Sequence, residues 1–192
     1  MARPQQFNAA EALRQAMDAF WKKGYEATSL TDLLSATGLS KSSLYATFGG
    51  KHELFVAAFD AYREERTRRM EQVLAQSPGR LAVERFFREI ATDTEDGAPS
   101  RGCMSINQAV EMAPRDAGIR ARVLQDFQRM EDALTQTIER GQTDGSIARG
   151  HPARELARLL VLAFPGLQVM VRAGADHEQL DNTLNGLLAL LD

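Results

Sequence analysis

The sequence predicts an all-α fold: an N-terminal three-helix head on a larger C-terminal helical bundle, about nine helices in all. Three observations lead there. Apolar residues recur at the three-and-four spacing of helices along nearly the whole chain. No alternating β-branched run appears, and no Asn-Gly or Asp-Gly turn joins two such runs. The 192 residues, 44% hydrophobic and 26% charged, suffice for one large folded unit or a small unit joined to a medium one.

Taken in order, a first helix over about 8–23 carries Leu13, Ala16, Met17 and Phe20 on one face and ends before Gly24. A short helix over about 30–36 opens at Thr28-Ser29, with Ser29 and Asp32 spaced as a capping box, and closes at Gly38. Ser40 is the expected N-cap of another short helix, about 41–47. A long helix runs from Lys51 to about Gln76, where Ser77-Pro78-Gly79 stops it. Further helices are expected at about 80–93, 103–112, 115–141, 152–173 and 177–191, with Thr94–Gly102 as the main internal loop and Thr143–Gly150 as a turn. Pro165-Gly166 is expected to kink the penultimate helix. The head is assigned to residues 1–50 and the body to 51–192.

Composition excludes several classes. No run of about 18 uncharged apolar residues is present, which argues against a membrane-spanning helix. An N-terminus without an apolar run and a single cysteine point to a reducing cytoplasm. His52, His151 and His177 are scattered, so no Cys/His metal cage and no cofactor is expected. The net charge of −3 argues against a wholly basic nucleic-acid binder. The charge is nevertheless divided. Residues 1–51 hold six basic and four acidic side chains, and the remainder holds 17 basic and 22 acidic. A mildly basic end on an acidic body suits contact with a polyanion at one end.

Two short helices joined by a glycine turn, after a longer supporting helix, form a helix-turn-helix pattern. Leu30, Leu33 and Leu34 face Leu39 and Leu44 across the turn. Lys41, Ser42, Ser43, Tyr45, Ala46 and Thr47 are left near the outer face of the third helix. They are residues that approach base edges and phosphates closely. The spacing Phe20-x-x-x-Gly24-Tyr25-x-x-Thr28-Ser29-Leu30, followed by Thr37-Gly38-Leu39-Ser40-Lys41-Ser42-Ser43-Leu44-Tyr45-x-x-Phe48-x-x-Lys51-x-x-Leu54-Phe55, resembles the TetR (tetracycline-repressor-like) family of bacterial transcription regulators. The resemblance implies a phosphate contact at Thr28 and Ser29 and base and backbone contacts at Lys41, Ser42 and Ser43. It implies further phosphate contacts at Tyr45 and Lys51. Ala46 and Thr47 stand where a histidine or second tyrosine is frequent, a departure that bears on base preference.

In the body, Leu180, Leu184, Leu187, Leu188 and Leu191 form one stripe, and Leu156, Leu159, Leu160, Ala163, Leu167 and Met170 form another. Such stripes pack on their own bundle or on a partner. The resemblance implies the second, a four-helix homodimer interface using Leu156, Leu160, Leu167, Leu180, Leu184, Leu187, Leu188 and Leu191. Phe59, Tyr62, Phe86, Phe87, Ile90, Met104, Ile106, Met112, Phe127, Met130 and Phe164 serve as core or as pocket lining. In a family that binds small molecules in this domain, some of them should line a pocket for an apolar or aromatic effector, with Asn107, Gln108 and Glu111 as its polar groups.

Cys103 follows Gly102 at a predicted helix start, two residues from Arg101, where helix dipole and positive charge favour a thiolate. It is either a sensor of electrophiles or a small packing residue. The reading adopted is a dimeric repressor released from a palindromic operator by an effector or by modification of Cys103, and not an enzyme. The competing readings are a helical interaction protein and an enzyme with Cys103 as nucleophile.

Overall fold

The structure is a computed structural model that describes residues 8–76, 78–92 and 100–192. Among the described residues the helices are α1 (Ala9–Lys23), α2 (Leu30–Thr37), α3 (Lys41–Phe48), α4 (Lys51–Leu74), α5 (Gly79–Ala91), α6 (Met104–Glu111), α7 (Ala117–Asp144), α8 (Ala153–Arg172) and α9 (His177–Leu188). A 3-10 turn at Ala189–Leu191 ends the chain. No strand occurs among the described residues. Ser77, the expected helix end at 93 and residues 94–99 of the expected loop lie outside them.

Local chemistry sets the boundaries. The Asn8 side chain accepts from the Ala10 N–H, that of Asp116 from Ile119 and that of Asp176 from Gln179, all at 3.0–3.1 Å. Each satisfies a backbone donor that a helix start leaves without an intrahelical partner. The turn between α2 and α3 needs a left-handed residue, and Gly38 supplies it with φ 65°. Helix α8 runs unbroken through Pro165.

The head is not closed without α4. Phe20, Leu33 and Leu44 are fully buried together with Leu54, Phe55 and Phe59 of α4. Phe20 meets Phe55 edge-on with ring centroids 5.1 Å apart, and Phe55 stacks on Phe59 at 5.8 Å. Helix α7 is the axis of the body and packs on α8, α5, α4 and α6, while α5 also carries α9. Among the described residues, no helix is long and apolar enough to cross a membrane.

The stripes of α8 and α9 depart from expectation. Leu156, Leu160, Leu180, Leu184, Leu188 and Leu191 are at most 4% exposed within the single chain. These six are core of their own bundle and leave little side-chain surface for a partner. Leu167 and Leu187 are half-buried. A second apolar stripe looks outward from α8: Leu159, Leu162 and Val169 are 48%, 78% and 58% exposed, at i, i+3 and i+10. Leu190 is exposed as well.

Candidate nucleic-acid interface and its link to the body

The recognition segment is built on two capped helix starts. At α2, Ser29 Oγ accepts the Asp32 N–H at 3.1 Å while Asp32 accepts the Ser29 N–H at 2.9 Å, a complete capping box. Lys23 Nζ lies 2.6 Å from Asp32 and ties the end of α1 to the start of α2. Lys23, then Ser29, hold the Asp32 carboxyl well below the usual carboxylate range. At α3, Ser40 Oγ accepts the Ser43 N–H at 3.1 Å and lies 3.0 Å from Ser42 Oγ and 2.8 Å from Ser43 Oγ. Leu44 turns into the core, which leaves Lys41, Ser42, Tyr45, Ala46 and Thr47 exposed and Ser43 half-buried.

Lys51 opens α4 with its ammonium 4.3 Å from the Tyr25 ring centroid. This cation–π contact holds the charge at the edge of the head. Ser29 is exposed at the start of α2. Thr28 corrects the sequence reading. It is fully buried, and its hydroxyl donates to the Gly24 carbonyl at 2.6 Å. That bond closes the α1–α2 turn, so the side chain cannot reach a phosphate.

A second set of contacts fastens the head to the body through α6 and the residues before it. Trp21 Nε1 donates to the Gly102 carbonyl at 2.9 Å, and the Arg101 guanidinium lies 4.2 Å from the Trp21 ring centroid and 3.2 Å from Asp18. The Glu111 carboxylate accepts the N–H groups of Tyr25 and Glu26 and the side-chain amide of Gln108. Gly24 has φ 84°, and a Cβ there would stand 2.9 Å from the Glu111 carboxylate oxygens. Sequence reasoning missed this seam. Its partners are 81–86 positions apart, and nothing local in either segment announces the other.

Two cavities flank α6. The first, of about 510 Å³, lies within the body and is lined by Tyr62, Phe86, Ile90, Phe127, Met130 and Phe164, which the sequence offered as core or pocket lining, and by Cys103. Arg63, Ser105 and Asp126, which were not expected, give it a charged wall. Arg63 is 7% exposed and is held by Asp126, Asp60, Gln125 and the Arg122 carbonyl, while Ser105 donates to Asp126 at 2.8 Å. Phe59, Met104, Asn107 and Glu111, also expected, are not part of its lining. Phe59 and Met104 are fully buried in the core. Asn107, Gln108 and Glu111 lie on the other side of α6, in a second cavity of about 550 Å³ bounded by α1 and α8.

Cys103 is the N-cap residue of α6, is buried, and lines both cavities. Tyr62 accepts the Met104 N–H at 3.0 Å and donates to Cys103 Sγ at 3.4 Å. Burial, reinforced by the neighbouring Cys103, pushes the Tyr62 hydroxyl well above its ordinary pKa, so it stays protonated and able to donate. Among the described residues no group of side chains could hold a metal ion.

Known proteins share this arrangement along its whole length. Residues 12–58 match the family model "Bacterial regulatory proteins, tetR family", and residues 80–187 match "Tetracyclin repressor-like, C-terminal domain". YezE of Bacillus subtilis, described as an uncharacterized HTH-type transcriptional regulator, is 30% identical over 194 residues, the full length of both chains. The HTH-type transcriptional repressor ComR of Escherichia coli is 34% identical over 181 residues, covering 93% of this chain and 86% of that protein. A cysteine-substituted variant of the TetR family regulator CifR, solved with 26-bp double-strand operator DNA, matches all of both chains with a TM-score of 0.86 at 29% identity. With both head and body matched, the chain belongs to the tetR family of bacterial regulatory proteins and is a transcriptional regulator rather than an enzyme.

Proposed function

We propose that the chain is a homodimeric repressor that binds a palindromic operator through α3 and releases it when a small molecule occupies the body. The observation that carries this reading is the outer face of α3. Lys41, Ser42, Tyr45 and Thr47 stand exposed on a helix whose inner side is locked by Leu44, with Lys51 beside it and Ser29 at the neighbouring helix start. Small hydroxyl side chains suit base edges, and the lysines and Tyr45 suit phosphates. The structure of CifR with operator DNA supports the same use of this head. Residues 1–50, with Lys51 at the start of α4, then carry DNA contact, and the rest of 51–192 carries effector binding and dimerisation, in the cytoplasm.

A two-fold dimer sets two recognition helices about 34–36 Å apart, one turn of B-DNA. The outward stripe Leu159, Leu162 and Val169 is the surface offered for it, in place of the buried leucines. The aromatic wall of the first cavity suits an apolar or aromatic effector, and Arg63 and Asp126 allow a polar substituent on it. Releasing most bound dimers requires that the effector prefer the released arrangement by several kcal/mol. A second route is favoured by the position of Cys103 on both cavities, where an electrophile adduct would do the work of a ligand. Selection of random duplexes with the purified protein tests the reading. A palindromic motif is the expected result, and recovery of no enriched motif overturns it.

A further inference from the structure

We propose that the second cavity is a ligand site in its own right. Its ligand would be a small molecule joining an apolar body to a carboxamide-like group, and it would act on the seating of the head. Two atoms carry the inference. Gln108 Oε1 and Gln168 Nε2 are buried without a hydrogen-bond partner among the described residues, and both side chains line this cavity. Their residues are 1% and 3% exposed. Buried polar groups are nearly always paired, so two unpaired ones at a single cavity call for an explanation.

The two atoms are opposite in kind. Gln108 Nε2 is committed to Glu111, which fixes the amide orientation and leaves its oxygen as an acceptor awaiting a donor. Gln168 Nε2 is a donor awaiting an acceptor. A carboxamide or lactam brings an N–H and a carbonyl oxygen on one group and answers both. Phe20, Trp21 and Ile106 supply apolar walls for the rest of the molecule. A cavity of about 550 Å³ has room for a single-ring compound.

The site spans the joint between head and body. Trp21, Lys23 and Gly24 come from the end of α1, Gln108 and Glu111 from α6, and Gln168 from α8. Glu111 also holds the Tyr25 and Glu26 amides that follow Gly24. An occupant that engages Gln108 therefore bears on the anchor of the head, on the side of α6 away from the first cavity. The consequence for DNA rests on the operator binding proposed above, while occupancy itself does not.

Benzamide is the probe, titrated into the full-length protein and followed by ¹⁵N NMR. Trp21 is the sole tryptophan, so its indole N–H resonance identifies itself. Benzamide is expected to shift the Trp21 indole and Gln168 side-chain amide signals. Gln168→Leu, which removes the unpaired donor at similar volume, is expected to weaken benzamide at least tenfold and to leave Tm unchanged or raised. Saturating benzamide is expected to change operator affinity at least threefold in the wild type and not in Gln168→Leu. The proposal is overturned if the Trp21 signal does not move, or if Gln168→Leu binds benzamide as well as wild type. It is also overturned if Gln168→Leu lowers Tm or dissociates the dimer, since the amide is then paired across subunits. Benzamide binding with unchanged operator affinity removes the effect on the head. A protein that selects no DNA defeats the repressor reading instead and leaves the NMR result standing.

Discussion

The Glu111 carboxylate accepts the backbone N–H of Tyr25 at 3.1 Å across 86 positions of chain, and with it the N–H of Glu26 at 2.9 Å. These amides follow α1 and lead into α2, so α6 holds the base of the helix-turn-helix directly. Charge-assisted bonds of this kind contribute about 1.5–3 kcal/mol each. Glu111→Ala is expected to raise hydrogen-exchange rates at Tyr25 and Glu26 while the amides inside α3 keep theirs. Unchanged exchange at those two positions would show that the head is held by other contacts.

Lys51 and Ser42 should separate affinity from base preference. Lys51→Ala removes a charge that Tyr25 holds at the edge of the head. Operator and non-operator duplexes are both expected to bind more weakly. The salt dependence of log Kd should flatten by about one unit for each phosphate that a subunit no longer neutralises. Ser42→Ala leaves the charge in place and is expected to change the selected motif with little effect on the salt slope. Fluorescence anisotropy over a salt series, with duplex selection for each variant, measures both.

Leu162 and Leu188 should behave in opposite ways. Leu162 is 78% exposed on α8, and Leu188 is 1% exposed between helices of its own chain. Leu162→Glu is expected to keep its helical circular dichroism, sediment as a 21.2 kDa monomer and lose operator binding. Leu188→Glu buries a carboxylate without a partner, which costs several kcal/mol, and is expected to unfold the bundle. Sedimentation of a folded Leu162→Glu dimer would move the interface off this stripe.

Cys103 is buried under Tyr62 but reachable from two cavities. A small reagent such as methyl methanethiolsulfonate is expected to modify it many times faster than the bulky, charged Ellman's reagent. Urea should abolish the difference. Operator binding before and after modification then decides whether the adduct acts on DNA. Cys103→Ser should resist the small reagent and bind operator as the wild type does.

The Asp32 cap should give the head a distinct acid response. Its carboxyl titrates below the ordinary value of 3.8 in the folded chain, because Lys23 and Ser29 favour the charged form. A depressed folded pKa means that the cap's contribution is fully present above the unfolded pKa and is lost as pH falls through the folded one. Asp32→Asn is therefore expected to be less stable than wild type near pH 7, with the gap closing below about pH 4. Thermal unfolding of both proteins from pH 7 down to pH 2 follows the gap.

The sequence by itself determined which helices form, with their ends placed to within about three residues, and which segment forms the helix-turn-helix head. Ser29 with Asp32, Gly38, Ser40 and the three-and-four spacing around Phe20 act within one or two turns, so they can be read without knowing the fold. Tyr62, Phe86, Ile90, Phe127 and Met130 line the first cavity, while Phe59 and Met104 of the same apolar set are core, a division that periodicity does not reveal. Tertiary structure alone decided which partner each buried face meets. An apolar stripe states that a face leaves water and not what covers it. Leu184 and Leu188 therefore read alike as core or interface until α5 and α8 were seen against α9. Thr28, Glu111 and Gln168 follow the same rule. A hydroxyl, a carboxylate or an amide has a role only through the atoms around it, and for Glu111 those atoms lie more than 80 positions away.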